Sequence, residues 1–158
     1  MLRRILKYVA VGVGALFAIL VGLVAFSYFF PPTYEASIPL EGTTSTVAVQ
    51  LQPMHLYLAE YHRVLVLRRP GAPEMRQKMF PDTGGYSRTR LYRLKEGQFF
   101  IEGAFDSFVI DTAGHSIAEA PRSVAGNATF LGVFDDTGDG IWRFIAESQG
   151  LPKSRGLN

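Results

Sequence analysis

From Tyr8 to Phe30 the chain reads YVAVGVGALFAILVGLVAFSYFF, which is 23 consecutive residues without a charged side chain. A helix rises about 1.5 Å per residue, so this run is roughly 34 Å long, whereas the hydrocarbon core of a bilayer is about 30 Å thick. Pro31 and Pro32 follow directly and cannot donate the backbone hydrogen bonds that would continue the helix. The sequence therefore predicts a transmembrane helix over residues 8–30.

The seven residues before this helix contain three basic side chains, Arg3, Arg4 and Lys7. Basic residues next to a spanning helix favour the cytoplasmic side of the membrane. We therefore expect a cytoplasmic N-terminus (residues 1–7) and a periplasmic C-terminal domain, in a bacterial inner membrane. The alternative is a cleaved secretory signal, since Ala25-Phe26-Ser27 has a small-x-small cleavage pattern, although the apolar run exceeds the usual ~7–15 residues of such signals.

Small side chains recur every fourth residue inside the helix, at Ala10, Gly14, Ala18 and Gly22. Residues four apart lie on the same helix face, and a stripe of small residues lets a second helix approach closely in lipid. These four residues are the predicted helix-association site, for a membrane-protein partner or for a second copy of the chain. The alternative interpretation is that Gly and Ala are simply common in membrane helices.

The remainder of the chain is nearly neutral and contains no cysteine. The lack of cysteine excludes disulfides, a thiol nucleophile, cysteine-ligated zinc and a lipid-modified cysteine. Residues 31–158 carry 13 basic and 14 acidic side chains, a balance of −1 that gives no support for binding nucleic acid through its phosphates. We expect no cofactor, no metal and no nucleic-acid partner.

Composition divides residues 31–158 into three parts. Residues 31–46 are rich in Thr, Ser, Glu, Gly and Pro and are predicted to be a linker. Residues 47–148 consist of short apolar segments separated by turn residues and are predicted to form the β domain. Residues 149–158 are predicted to be a C-terminal tail.

Several segments of the middle part have the pattern of strands. Two segments alternate between apolar and other side chains with a period of two, the first at Val47, Val49 and Leu51 and the second at Met54, Leu56 and Leu58. Short runs of strand-forming residues follow at Val64–Leu67, Phe99–Ile101, Phe108–Ile110, Thr129–Phe134 and Ile141–Ile145. Their spacing of roughly 8–15 residues predicts a mainly β fold, a small antiparallel β barrel or sandwich after the transmembrane helix. Pro53–Leu67 also fits a helix with proline in its first turn.

Two local patterns predict how aromatic side chains are oriented. The strings Gly103-Ala104-Phe105-Asp106 and Gly132-Val133-Phe134-Asp135 are similar, and they predict two similar hairpins with both phenylalanines pointing inward. Trp142 lies two residues before Phe144 in a strand-like run, so both rings share one face. We expect Trp142 to anchor the core.

Charge is unevenly distributed along the predicted β domain. Residues 60–96 contain nine basic and four acidic side chains, whereas residues 97–147 contain two basic and eight acidic ones. Separate basic and acidic surfaces would suit docking to an oppositely charged partner. Pairing between adjacent strands of the same chain is the alternative interpretation.

Three strings combine Asp-Thr with a nearby glycine, within residues 82–85, 111–114 and 136–140. The middle one, Phe108-Val109-Ile110-Asp111-Thr112-Ala113-Gly114, resembles the signature of retroviral-type aspartic proteases. That resemblance implies a dimeric enzyme in which two Asp111 carboxylates share one proton. The string departs from the family at Ala113, where the family has glycine. Turns closed by aspartate side chains are the alternative interpretation.

Two metal-binding patterns are incomplete. Asp135-Asp136-Thr137-Gly138-Asp139-Gly140 begins like a calcium loop, but Ala146 stands at the twelfth position, which needs a bidentate glutamate. We therefore predict a polar turn there. The histidines His55, His62 and His115 lack the ligand spacing of metal enzymes.

The chain contains neither a phosphate-binding glycine loop with lysine nor the Gly-x-Ser-x-Gly elbow of hydrolases. We therefore expect a membrane-anchored, non-enzymatic interaction or accessory subunit. It would act through its transmembrane helix and its β domain, with the lipid bilayer and another membrane subunit as partners. The alternative is an envelope enzyme, such as a dimeric aspartic protease that uses Asp111.

Overall fold

The computed structural model describes residues 2–55, 57–84, 88–136 and 140–150. One α-helix in this part of the chain, α1, comprises Leu2–Phe29. The strands that follow are β1 Tyr34–Pro39, β2 Thr46–Pro53, β3 Glu60–Arg68, β4 Met75–Thr83, β5 Thr89–Lys95, β6 Gln98–Glu102, β7 Ser107–Asp111, β8 Ser116–Glu119, β9 Thr129–Asp135 and β10 Arg143–Ala146. Two short 3-10 helices comprise Arg122–Asn127 and Glu147–Gln149. The fold is mainly β behind one apolar helix, as predicted.

Helix α1 is long and apolar enough to cross a membrane. Its side chains from Arg3 onward are exposed, and the Phe30 amide donates to the Phe26 carbonyl over 2.8 Å in the last turn. The helix ends before Pro31 because proline lacks the donor that the next turn would need. No other described part of the chain covers this apolar surface.

The strands form two antiparallel sheets. Sheet 1 has the order β1-β2-β3-β4, and sheet 2 has the order β10-β9-β5-β6-β7-β8. The edge strands of the two sheets lie beside each other, β1 near β10 and β4 near β8. The sheets do not close into one continuous barrel, and the arrangement agrees with the predicted barrel or sandwich.

The strand register defines two ends of the β domain. Tyr34, the first residue of β1, pairs with Leu51 near the end of β2, and Tyr61 near the start of β3 pairs with Asp82 near the end of β4. The β2–β3 loop (residues 54–59) and the end of β4 therefore lie where the chain arrives from α1. We call this the α1 end. The β1–β2 and β3–β4 turns lie at the opposite, distal end.

Contacts between the sheets place the turns of sheet 2 relative to these ends. The Phe80 amide of β4 donates to Oδ2 of Asp106 over 2.5 Å, which puts the β6–β7 turn at the α1 end. The start of β5 lies there too, and β9 pairs antiparallel with β5, so β9 ends and the β9–β10 connection begins at the same end. The β7–β8 turn is distal, since Arg69 after β3 donates to the Ala113 carbonyl over 3.1 Å.

The core lies between the sheets and is built from alternate strand residues. Val47 and Val49 of β2 lie in this core and Leu51 is buried as well, as the period of two predicts. Ala48 on the opposite face of β2 is also buried. Sheet 2 contributes the buried side chains of Leu91, Phe99, Ile101, Phe108, Ile110 and Phe134. Burying a large apolar side chain contributes roughly 1.5–3 kcal/mol to folding.

The strand-like runs predicted at residues 64–67, 99–101, 108–110 and 129–134 all lie inside observed strands. β10 overlaps the run predicted at 141–145 from Arg143 onward.

Strand β1 lies within residues 31–46, whose composition predicts a linker. β1 pairs with β2 along its whole length, from Tyr34 opposite Leu51 to Pro39 opposite Thr46. Its inward side contributes Ala36 to the core, while most of its other residues face solvent, so the segment reads as polar. The connection between α1 and β1 is therefore residues 30–33, and residues 34–39 of the predicted linker belong to sheet 1.

Residues 54, 55 and 57–59 lie in a loop, although the alternating pattern of this segment predicts a strand. β2 ends at Pro53, and the Met54 amide donates to the Glu60 carbonyl over 2.8 Å at the base of the loop. Tyr57 and Leu58 are exposed, so the alternation does not mark a buried face, and residue 56 lies outside the described part. The helical alternative for residues 53–67 is wrong, because β3 pairs with both β2 and β4 over this region.

The two similar Gly-x-Phe-Asp strings have different structures. Residues 103–106 form the β6–β7 turn, in which Phe105 has 75% of its surface exposed. Residues 132–135 lie inside β9, where Phe134 is fully buried. The prediction of two inward phenylalanines is correct for Phe134 and wrong for Phe105, because the position within the sheet decides which way a side chain points.

A charged network covers the outer face of sheet 1. Arg68 donates to both carboxylate oxygens of Glu35 over 2.6 and 2.9 Å and to Glu74 over 2.6 Å. Arg76 donates to Glu74 and Gln50, and Gln50 donates to Glu35. The network thus links all four strands of the sheet, because Glu35, Gln50, Arg68 and Arg76 belong to β1, β2, β3 and β4.

Candidate functional site

The predicted helix-association residues lie along one side of α1. Ala10, Gly14, Ala18 and Gly22 follow each other at intervals of four within a continuous helix, so each neighbours the next on the helix surface. A Cβ atom added at Gly14 or Gly22 would meet no other atom within 4 Å. The stripe is therefore open to close approach by another helix or by lipid.

The basic residues Arg3, Arg4 and Lys7 lie in the first two turns of α1 and are exposed. The N-terminal end of a helix carries the positive end of its macrodipole, so cations there weaken the helix. The first turn has no acidic residue to compensate them, and the last turn has no basic residue. Their position therefore does not stabilise α1 itself.

A buried arginine occupies the α1 end of the core. Arg63 in β3 is 2% exposed and donates to the Thr89 hydroxyl at the start of β5. Its Nε and Nη1 have no hydrogen-bond partner among the described residues. Burial lowers the pKa of Arg63, while the carboxylates of Asp106 and Asp82 oppose this effect. The cluster is therefore a buried cation near two acidic side chains.

The Arg63 cluster links the two sheets rather than offering a group that exchanges a proton. An arginine stays charged across the physiological range, so it acts neither as a general acid nor as a general base. Its bond to Thr89 joins sheet 1 to sheet 2 at the α1 end. We therefore interpret the cluster as a structural connection.

The alternation of residues in β3 identifies Arg63 as a candidate buried residue, although Arg63 belongs to no sequence motif. Arg63 has the same inward phase as Leu65 and Leu67 in β3. A charged residue is seldom found at an inward-facing strand position unless it is paired. The alternation of β3 is therefore sufficient to single out Arg63. Its acidic neighbours come from β4 and from the β6–β7 turn, and no spacing in the sequence brings those elements together.

Asp111 closes the β7–β8 turn with its own side chain. Its Oδ1 accepts hydrogen bonds from the amides of Ala113 and Gly114 over 3.0 and 3.1 Å. This is the aspartate-closed turn that was the alternative to the protease resemblance. The turn lies at the distal end, so pairing of two α1 helices would not by itself bring two Asp111 carboxylates together. The other two Asp-Thr strings include residues outside the described part.

The described residues contain no group of three or more His, Asp or Glu side chains arranged to hold a metal ion. His55 contacts Glu60 in the β2–β3 loop over 3.2 Å, whereas His115 bonds to the Pro73 carbonyl over 2.7 Å at the distal end. These two histidines therefore lie at opposite ends of the domain. His62 is exposed on β3.

The calcium-like string is described only in part. Asp135, its first residue, is fully buried at the end of β9, and its Oδ2 accepts a hydrogen bond from Nε of Arg88 over 2.8 Å. This carboxylate is thus engaged by a protein cation. Residues 137–139 of the string lie outside the described residues.

Ion pairs join the basic and the acidic halves of the sequence. Arg88 pairs with Asp135, and Arg90 pairs with Glu102 over 3.3 Å. Both pairs arise because β5 lies between β9 and β6 in sheet 2. Pairing within the chain, the alternative to a docking surface, accounts for these four side chains.

No protein-family model matches the chain, and neither a curated protein nor a solved structure matches it. The geometry of α1 and of the β domain is therefore the basis for assigning a function.

Proposed function

We propose that the protein is a membrane-anchored interaction or accessory subunit, with α1 in a bacterial inner membrane and the β domain in the periplasm. The observation that carries the proposal is α1, an apolar helix of 28 residues that no other described part of the chain covers. Exposure of such a surface to water is unfavourable, whereas the hydrocarbon core of a bilayer is about 30 Å thick and removes the uncharged run of residues 8–30 from water.

The proposed orientation rests on the charges at the two ends of α1. Arg3, Arg4 and Lys7 lie at the end where the helix macrodipole disfavours them, and the last turn has no basic residue. Retention of positive charge on the cytoplasmic side accounts for this placement. The β domain then lies on the opposite side, in the periplasm.

Association through α1 is the second part of the proposal. Lipid tails are as apolar as a neighbouring helix, so hydrophobicity alone does not drive helix pairing in a bilayer. Close contact between backbones at small residues can drive it, and the stripe of Ala10, Gly14, Ala18 and Gly22 is open for such contact. The partner is another membrane protein or a second copy of the chain.

The stripe is tested by adding bulk to it in the full-length chain. Gly14→Leu and Gly22→Leu should weaken self-association or partner capture, measured by a two-helix reporter assay in membranes and by affinity purification in mild detergent. Leu16→Ile is the matched control, because it lies off the stripe. Membrane insertion should persist in all three variants, since Leu and Ile keep the segment apolar. Equal association of every variant would exclude the stripe as the contact.

A further inference from the structure

Large apolar side chains that remain exposed are concentrated at one end of the β domain. Its described residues expose Tyr34, Tyr57, Leu58, Met75, Phe80, Phe105 and Ile141. All of these except Met75 belong to the α1 end, in the start of β1, the β2–β3 loop, the second half of β4, the β6–β7 turn and the β9–β10 connection. Single exposed apolar residues are ordinary on protein surfaces, but their concentration at one end makes that end the candidate interaction surface of the domain.

The same end is held close to any membrane that α1 crosses. Residues 30–33 connect α1 to β1, and even fully extended they span at most about 14 Å. The headgroup region on each side of the hydrocarbon core is about 5–7 Å thick. The α1 end of the domain therefore cannot move far from the lipid surface.

The β2–β3 loop presents its apolar side chains from an ordered base. His55 contacts Glu60 over 3.2 Å, and the His55 ring stacks on the Tyr57 ring with centroids 5.9 Å apart. Tyr57 nevertheless has 83% of its surface exposed, and Leu58 has 47%. Side chains that already hold each other in place lose less conformational entropy when they enter an interface.

The β6–β7 turn presents a second apolar group at this end. Phe105 packs on Phe80 of β4 with ring centroids 4.8 Å apart, and the Asp106 carboxylate accepts a hydrogen bond from the Phe80 amide. The two rings thus form an ordered pair that remains exposed to solvent.

We propose that the α1 end of the β domain rests on the bilayer, with Tyr57, Leu58 and Phe105 at the level of the lipid headgroups. This inference rests on the proposed anchoring by α1, because the helix brings the bilayer to this end. Lipid is the favoured occupant over a protein, since chain continuity places lipid at this surface whether or not a partner is bound. Tyrosine, leucine and phenylalanine are side chains that partition into this interface.

Charged side chains of both signs lie at the same end. Asp82 in β4 and Asp106 in the β6–β7 turn are acidic, whereas Arg122 donates to the Gly103 carbonyl of that turn and Arg143 begins β10. Anionic headgroups repel the carboxylates and attract the arginines, so charge gives this end no net drive toward such headgroups. Apolar burial therefore drives the contact, and we expect it to form on zwitterionic phosphatidylcholine alone.

The absence of cysteine from the sequence permits a direct test with single labelled cysteines. Leu58→Cys and Phe105→Cys would carry a fluorophore at the α1 end, and Leu58→Cys leaves Tyr57 in place. Thr44→Cys in the β1–β2 turn is the matched distal control, because the eight residues of β2 separate the two ends by roughly 25 Å. Leu16→Cys reports on insertion of α1. Each full-length variant would be placed in phosphatidylcholine nanodiscs that contain spin-labelled lipids as quenchers.

We expect strong quenching by spin-labelled lipid at position 16. A headgroup-level spin label should clearly quench the fluorophores at positions 58 and 105 and should not quench the one at position 44. Quenching at 16 together with equal, low quenching at 58, 105 and 44 would overturn the inference and leave the anchoring intact. Unquenched fluorescence at 16 would overturn the anchoring itself. Protection of 58 and 105 from a water-soluble quencher without quenching by lipid would assign the surface to a protein contact and overturn lipid as its occupant.

Discussion

At the scale of single residues, Trp142 connects the end of the β domain to sheet 1. Its indole Nε1 donates to the Val49 carbonyl in β2 over 2.9 Å, and its ring packs against the core together with Phe144. Trp142 precedes β10 and is partly buried. The expected core contact is therefore made from a loop, and the hydrogen bond fixes the ring in place.

Trp142→Ala should lower the free energy of unfolding by about 3 kcal/mol, at the low end for tryptophan truncation because the ring is partly exposed. This loss is a large fraction of the stability of a small domain. Denaturant unfolding of the full-length chain in detergent measures it. Trp142→Phe is the control that keeps an aromatic ring and removes the indole donor, at a cost of about 1 kcal/mol from the lost hydrogen bond. Wild-type stability of the Ala variant would contradict the role assigned to the ring.

At the scale of elements, β10 lies against the backbone of β9 at Gly132. Gly132 has a φ of 152°, and a Cβ atom added there would lie 2.2 Å from the Ile145 carbonyl oxygen and 2.9 Å from Ala146 Cα. These two atoms are backbone, so they cannot move aside as a flexible side chain would, and Phe144 Cζ also lies 2.7 Å from the added Cβ. This pairing therefore requires glycine.

Gly132→Ala should destabilise the β domain by about 2–3 kcal/mol, because the new methyl group forces β9 and β10 apart. Gly126→Ala is the matched control, since a Cβ atom at Gly126 would meet no atom within 4 Å and that glycine has no positive φ. The two variants would be compared by thermal and denaturant unfolding. Equal stability of Gly132→Ala and wild type would show that the strands can separate at no cost.

The charged network on sheet 1 predicts a dependence of stability on pH. The hydrogen bonds from Arg68, and to a lesser extent Gln50, lower the pKa of Glu35 from 4.5 to about 2, although partial burial opposes the shift. A carboxylate with a lowered folded-state pKa stabilises the fold above its unfolded pKa, and this stabilisation disappears as the pH falls through the folded pKa. The contribution of Glu35 should therefore be complete above about pH 5 and lost between pH 4.5 and 2.

Glu35→Gln should lower stability at pH 7 by about 1 kcal/mol or less, because the pair is partly exposed and screened by solvent. The difference from wild type should shrink as the pH falls from 5 to 2. Glu96→Gln in the β5–β6 turn is the control, since the described structure shows no ion pair for Glu96. Unfolding curves at several pH values would measure the effect, and a difference that grows on acidification would contradict the assigned sign.

At the scale of the whole molecule, the proposed topology places the C-terminus outside the cytoplasm. Alkaline phosphatase fused after Asn158 should be active, and a fluorescent protein that folds only in the cytoplasm should be dark at the same position. The same pair of reporters at the N-terminus is the control and should give the reverse result. An active cytoplasmic reporter after Asn158 would refute the orientation that Arg3, Arg4 and Lys7 indicate.

The sequence alone determined the features that depend on neighbouring residues. Helix α1 was predictable because length and unbroken apolar character are local properties. The inward phase of β2 and the runs now found in β3, β6, β7 and β9 were predictable because alternate residues of a half-buried strand share one environment. The turn at Asp111 was predictable as an alternative, since a side chain two or three residues from its partners is sufficient to close it.

Tertiary structure decided the features that depend on distant partners. β1 is a strand because β2 supplies its hydrogen bonds, and no composition rule for residues 34–39 contains that partner. Phe105 points outward and Phe134 inward because one lies in a turn and the other inside β9, although their local strings are similar. Tyr57 and Phe105 both lie at the α1 end of the β domain. They do so only because the antiparallel registers of the two sheets bring the β2–β3 loop and the β6–β7 turn to that end. A strand buries its apolar side chains and pairs its backbone groups against whichever elements pack beside it. The packing of the whole chain decides which elements those are.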